Sequence, residues 1–265
     1  MKKFEGIYFF SDMDGTMITA DFQLPQRNID AIKYFVENGG HFALATGRGI
    51  HPNTLKAAEN IAVNFPCIML NGGLLYDLST QTEINAEYLV QEEAIPLIKE
   101  LVKEFADKYS IAVWLNDHSI QLGMSSPHML KYGKGTMEDI NKPVMKIVIG
   151  HELGEQQQMV DFVMNRVSDE FYITTASPRF VEVMPKGISK GWGLEWLINH
   201  YGLDRKKVIA MGDYYNDMSM LTVNGIRAFC PENAADDIKK VCERTFCHVN
   251  DGAIADAIEF LESEL

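Results

Sequence analysis

The stretch that decides the fold is GIYFFSDMDGTMIT, Gly6 to Thr19. Its first half, Ile7 to Phe10, is continuously apolar, as expected of a short strand covered on both faces. Its second half ends that strand on Asp12 and Asp14, followed at once by Gly15 and Thr16. Residues two apart on an extended segment point the same way, so both carboxylates face one crevice. Two carboxylates about 4 Å apart repel by about 4 kcal/mol at an effective dielectric near 20. The pair therefore requires a cationic or protonated neighbour, which the rest of the chain must bring.

Working outward, strand-like and helix-like segments alternate. PQRNIDAIKYFVENGG sets Ile29, Ile32, Phe35 and Val36 on one helical stripe, with Pro25 near its start and Gly39-Gly40 at its stop. HFALAT and CIML read as a second and a third buried strand of one parallel sheet. After NGG (Asn71 to Gly73) the texture changes. EEAIPLIKELVKEFADKY and GEQQQMVDFVMNRV read as helices, and IAVWL, VMKIVI, FYITT and RFVEVM as strands, many without a helix between them. That pattern predicts an antiparallel α+β module long enough to be a domain. From Gly187 the α/β alternation resumes with SKGWGLEWLINHYG, KVIAMG, GIRAF and a closing helix GAIADAIEFLESEL. The expected fold is α/β, a parallel-sheet core from 1–80 and 187–265 interrupted by an inserted domain at 81–186.

The chain has 265 residues, 46% of them hydrophobic, and a net charge of −13. That charge argues against a nucleic-acid partner and against an anionic membrane surface, and any phosphate site must be built locally. Cys67, Cys230, Cys242 and Cys247 form no CxxC pair, which reads as reduced thiols of a cytoplasmic protein. The N-terminal MKKFEGIYFFSD is broken by Glu5 and Asp12 before a signal-peptide core can form. No apolar run approaches the ~20 residues of a membrane span. The expectation is a soluble cytoplasmic chain, a monomer or small homo-oligomer.

In a parallel α/β sheet, ligands bind outside the carboxyl ends of the strands. Besides Asp12 and Asp14, those ends carry Thr46 and Gly47 in ATGR, Asn71 and Gly72 in NGG, and Asp213 after KVIAMG. If a helix begins near Asp213, Asn216 and Asp217 fall on its same face. Lys190, at a helix start, is the obvious positive charge of this acidic set. A marginally stable fold does not keep such a cluster bare. Hard oxygen ligands in a water-rich shell suit Mg2+, and Thr46, Asn216 and Lys190 remain to hold a phosphoryl group beside it. The residues alone leave open whether Asp12 or Asp14 is the nucleophile. Gly15 comes too early for an EF-hand loop, Pro52 breaks any dinucleotide fingerprint after Gly47, and the histidines form no zinc motif. Trp192 and Trp196, four apart on a helix, read as core. Arg179, Lys186 and His128 of the insert could meet substrate, although structural or solvated roles suit them better.

DMDGT, ATGR, SKG and GDYYND resemble, in order, the four motifs of the haloacid dehalogenase-like hydrolases. NGG and an insert between the second and third motifs resemble the Cof-type phosphatases of that superfamily. The resemblance implies a Rossmannoid core with an inserted α+β cap that excludes water and selects the substrate. It implies Asp12 as a nucleophile that takes the phosphoryl group as an aspartyl-phosphate, and Asp14 as general acid and base. Asp12, the Asp14 backbone carbonyl, Asp213 and Asp217 would hold Mg2+. Thr46, Gly47, Lys190 and Asn216 would bind the phosphoryl oxygens, and Asn71 and Gly72 the substrate. The implied function is a magnesium-dependent phosphatase of a small metabolite, sugar phosphates foremost. The alternatives are a phosphosugar mutase or a catalytically silent binding protein on the same fold. Two stretches depart from the family pattern: GIRAFCPENAADDIKK lacks the small-residue run GVAMGNA, and HVNDGAI only partly matches TNxxxGV.

Overall fold

The computed structural model describes residues 2–124, 133–152, 154–177 and 179–265. It divides into two compact units. One comprises Met1–Arg48, Pro52–Asn85 and Ser189–Leu265, the other Gly49–His51 and Ala86–Ile188.

The first unit begins with β1 (Tyr8–Ser11), α1 (Gln26–Glu37), β2 (His41–Leu44) and α2 (Pro52–Asn60). Phe9 and Phe10 point to opposite faces of β1 and are both fully buried, which is why that run is apolar without alternation. β3 (Cys67–Met69) corrects the expectation of a third full strand in the parallel sheet. It meets the β2 end through one parallel bridge, Ala45 to Ile68, and pairs antiparallel with β4 (Leu74–Asp77). β4 and β5 (Thr82–Ala86) complete a separate three-stranded sheet. The cause is local: Leu70 and Asn71 adopt φ values of 52° and 54° in succession, a left-handed step that turns the chain back at the strand end.

The second unit contains α3 (Gln91–Phe105), β6 (Ser110–Trp114), β7 (Ser119–Gln121), β8 (Gly133–Lys134), β9 (Lys146–Gly150), α4 (Gln156–Met164), β10 (Phe171–Ser177) and β11 (Phe180–Pro185). Its strands form one sheet in the order β10-β11-β9-β6-β7-β8, antiparallel except for the β7–β8 pair. Alternate residues Ile111 and Val113, Ile147 and Ile149, and Val181 and Val183 share one core with Leu97, Ile98 and Leu101 of α3 and Met159 and Val163 of α4. The period of two on each strand buries one face under the helices, as an α+β layer requires. On β9 and β11 a buried ion pair joins Lys146 Nζ to Glu182 Oε1 at 2.8 Å.

The chain returns to the first unit with α5 (Lys190–Tyr201), β12 (Val208–Met211), α6 (Met218–Leu221), β13 (Arg227–Pro231), α7 (Asp236–Val241), β14 (Arg244–Phe246) and α8 (Ala253–Ser263). Its central sheet is parallel throughout, in the order β14-β13-β12-β1-β2. The connections leave β1 toward β2 on one side and come back to β12 on the other. The strand order therefore reverses between β1 and β12, where such sheets open a ligand crevice. Among the described residues, no helix is long and apolar enough to cross a membrane.

Asn28 on α1 ties this unit together behind the crevice. It is fully buried, its amide donates to the Met17 carbonyl at 3.3 Å, and its Oδ1 accepts from the Ala255 N–H of α8 at 3.1 Å. Asn28→Ala removes the side-chain partner of the buried Met17 carbonyl and one of two acceptors of the Ala255 N–H, which keeps the Gly252 carbonyl at 2.9 Å. The expected loss is about 1–3 kcal/mol of unfolding free energy, read from the midpoint of urea denaturation.

Candidate active site

The register of the central sheet sets the site. Ser11 lies opposite Met211, so Asp12 and Asp213 leave neighbouring strands at the same end, and the Asp12 N–H donates to the Met211 carbonyl at 2.9 Å. Lys190 is the first residue of α5, whose N-cap Ser189 accepts from the Trp192 N–H at 3.1 Å. A cation at a helix N-terminus opposes the macrodipole. Here it is held by two carboxylates, with Nζ 2.6 Å from Asp12 Oδ1 and 2.6 Å from Asp217 Oδ1. Burial alone would lower the Lys190 pKa, but Asp12 and then Asp217 outweigh it and raise it above the usual lysine range.

The other oxygen of Asp217 accepts from the N–H groups of Asp213 at 2.9 Å and Tyr214 at 3.0 Å. This corrects the expectation of a helix beginning at Asp213. The chain forms a 3-10 turn over Tyr215–Asp217 and only then the short α6. Asp217 closes that turn with its side chain instead of sharing a helix face with Asp213. Asp213 in turn accepts from the Thr16 hydroxyl at 2.7 Å. Gly15, at φ +83°, lies so close that a Cβ there would stand 2.5 Å from Asp213 Oδ2. The Gly-Thr after Asp14 thus has a reason: glycine admits the second loop and threonine fastens it.

Burial, followed by the charge of Asp217, lifts the Asp213 carboxyl to about 7. Burial foremost also raises Asp12 well above the ordinary carboxylate range, with Asp217, Asp213 and Asp14 adding to it against the pull of Lys190. Asp12, Asp213 and Asp217 each offer an oxygen within 4.8 Å of the others. Three carboxylates against one ammonium leave the cluster two positive charges short. Asp14 does not change that sum, because Arg48 meets its charge: Nε lies 2.8 Å from Oδ2 and a second guanidinium nitrogen bonds Oδ1. A divalent cation with oxygen ligands fits both the charge and the spacing, since Mg–O bonds of about 2.1 Å set opposed ligands about 4.2 Å apart.

The remaining sequence-derived residues line the loops beside this cluster. Thr46 is fully buried and its hydroxyl accepts from the Arg48 N–H at 3.1 Å. Its carbonyl accepts from the Asn71 N–H at 3.0 Å, and that of Arg48 from the Leu70 N–H at 3.0 Å. The Asn216 amide reaches Asn71 Oδ1 at 3.4 Å, and a Cβ on Gly47 would lie 3.1 Å from the same oxygen. Gly72, at φ +102°, passes so near the start of α5 that a Cβ would stand 2.2 Å from the Ser189 carbonyl.

Three residues here escaped the sequence reading. Arg48 stands inside the quoted ATGR, Thr16 inside DMDGT, and Asn233 in the divergent segment after β13. Asn233 donates to the Gly15 carbonyl at 2.7 Å and accepts from the Val249 N–H at 2.9 Å, while the next loop residue but one, Ala235, donates to the Asp213 carbonyl at 3.0 Å. In the second unit, Lys186 pairs with Asp169 at 2.9 Å and Arg179 lies 3.9 Å from Glu152, whereas His128 is outside the described residues. Trp192 and Trp196 are half-buried instead of core, and Trp196 stacks on His200 with ring centres 4.4 Å apart.

A family model described as haloacid dehalogenase-like hydrolase matches residues 9–258. A Streptococcus pyogenes protein named "Putative phosphatase" is 26% identical, over 93% of this chain and 95% of that one. A Bacillus subtilis 5-amino-6-(5-phospho-D-ribitylamino)uracil phosphatase is 21% identical, over 88% and 89%. Among solved structures, a haloacid dehalogenase-like hydrolase from Bacteroides thetaiotaomicron superposes with a TM-score of 0.85 at 23% identity, covering 97% of this chain and all of its own.

A carboxyl raised from 3.8 to about 7 holds its proton more tightly in the folded than in the unfolded chain. Between those values the metal-free protein therefore loses stability as pH rises. Mg2+ competes with that proton, so the rise in melting temperature on adding Mg2+ is expected to be larger above pH 7 than below it. Melting curves on both sides of pH 7, with and without Mg2+, check this, and Asp213→Asn is expected to flatten the difference.

Proposed function

This chain belongs to the haloacid dehalogenase-like hydrolase family, and we propose that it is a magnesium-dependent phosphatase of a small phosphorylated metabolite, working through an aspartyl-phosphate. The observation that carries the reading is the buried Asp12, anchored by Lys190 inside a carboxylate cluster two positive charges short.

Lys190 engages one oxygen of Asp12, so the other attacks phosphorus. The bond from phosphorus to the ester oxygen breaks, its electron pair leaves with that oxygen, and Asp14 supplies the proton. In the second half Asp14 takes a proton from water, whose oxygen displaces Asp12 from phosphorus and frees inorganic phosphate. Arg48 holds the Asp14 carboxylate through two bonds, and these must open, with Asp14 taking up a proton from solvent, before Asp14 can give that proton to the leaving oxygen. The Thr46 hydroxyl, the Gly47 backbone, the Asn216 amide and Lys190 would bind the phosphoryl oxygens, with Asn71 and Gly72 lining the approach. Asp12, Asp213 and the Asp14 carbonyl would hold Mg2+, with Asp217 braced behind them. Bound there, Mg2+ would neutralise phosphoryl charge.

The inserted domain at 81–186 is proposed as the cap that selects the substrate. Sugar phosphates lead the candidates because a structural relative, with a TM-score of 0.79 at 19% identity, is a sugar phosphatase. Four free thiols accord with a cytoplasmic setting.

The test is phosphate release from a panel of phosphorylated sugars, nucleotides and cofactors, with Mg2+ and with chelator. Release is expected to need Mg2+ and to fall by at least about 10³-fold in Asp12→Asn. Release that survives this substitution would refute Asp12 as nucleophile.

A further inference from the structure

The loop after β1 carries an aromatic ring that packing does not explain. Phe22 is 68% exposed, yet its backbone sits at φ 61°, a region where a bulky residue is an outlier. Folding alone favours glycine or asparagine at such a place. The loop is nonetheless closed. The Thr19 N–H donates to the Gln23 carbonyl at 2.9 Å, the Phe22 N–H to the Thr19 carbonyl at 2.9 Å, and the Thr19 hydroxyl bonds the Asp21 carboxylate. A strained conformation held by its surroundings, with an apolar side chain displayed at its tip, points to use of that side chain.

The ring faces the chemistry. Its centre lies 5.7 Å from the guanidinium carbon of Arg48, and Arg48 Nε lies 2.8 Å from Asp14 Oδ2. If Asp14 protonates the leaving oxygen, the group attached to that oxygen must lie beside Asp14. Arg48 bonds Asp14 there, and the Phe22 ring stands beside Arg48. We infer that Phe22 and Arg48 form the subsite for the leaving alcohol. Phe22 covers one apolar ring face, such as the C–H face of a pyranose or an aromatic ring, and Arg48 donates to an oxygen of the same group. This inference rests on the phosphatase reading. It adds a specificity-determining residue that lies outside the inserted domain.

The test uses the Mg2+-loaded full chain and three probes: glucose 6-phosphate and 4-nitrophenyl phosphate, whose leaving groups carry a ring, and acetyl phosphate, whose leaving group does not. Phe22→Ala is expected to raise KM for the ring-bearing probes about 5- to 20-fold relative to acetyl phosphate, with Phe22→Tyr restoring it. Phe22→Gly suits the backbone and is expected to raise KM equally while the melting temperature holds or climbs, which separates loss of the ring from damage to the loop. An unmoved KM ratio would overturn the inference. So would a fall in kcat shared by all three probes, which would make the ring a mere prop for Arg48, or a change of oligomeric state with Phe22→Ala, which would assign the ring to a second copy. Failure of the phosphatase reading is a separate result: no probe is turned over by the wild-type chain at all.

Discussion

The ammonium of Lys190 between the carboxylates of Asp12 and Asp217 is the contact on which the site depends. Each of its bonds is 2.6 Å long, and all three side chains are buried. Removing the cation would leave two buried carboxylates facing each other, a loss far greater than the net worth of the pair. Lys190 also joins three distant parts of the chain: the end of β1, the start of α5 and the turn before α6. The loops of the site hold their places because this charge holds them.

Close approach is the second constraint. The loop after β1 reaches Asp213 only because Gly15 has no side chain, and the start of α5 reaches the loop after β3 only because Gly72 has none. Leu70 and Asn71 accept left-handed conformations in the same loop. Strain of this kind persists where the surroundings over-determine it. The backbone bonds from Asn71 to Thr46 and from Leu70 to Arg48 supply that determination. Rigid loops on a buried parallel sheet suit a reaction whose groups must be aligned before the substrate arrives.

The divergent stretch from Gly225 to Lys240 contains β13 and braces the loops of the site. Its Arg227, Phe229, Cys230 and Pro231 replace small residues, and Arg227 binds Glu243 and Glu264 at the surface. Asn233 and Ala235 still fasten the Gly15 and Asp213 backbones. The sequence exposes the substitutions but not this bracing, because a hydrogen bond from an amide to a remote carbonyl has no local pattern.

The sequence by itself determined the α/β alternation, the insert between two α/β stretches, and the acidic cluster with its lysine. Those readings rest on periodicity and on residues a few positions apart, which are local quantities. Only the tertiary structure decided which carboxylate faces which cation. Lys190 went to Asp12 and Asp217, Arg48 went to Asp14, and Asp217 became the clasp of a turn instead of a member of a helix face. The same holds for β3, which left the parallel sheet after one bridge because Leu70 and Asn71 turned it back. Partnerships across 27 to 178 residues depend on strand order and register, and these exist only once the whole core has condensed.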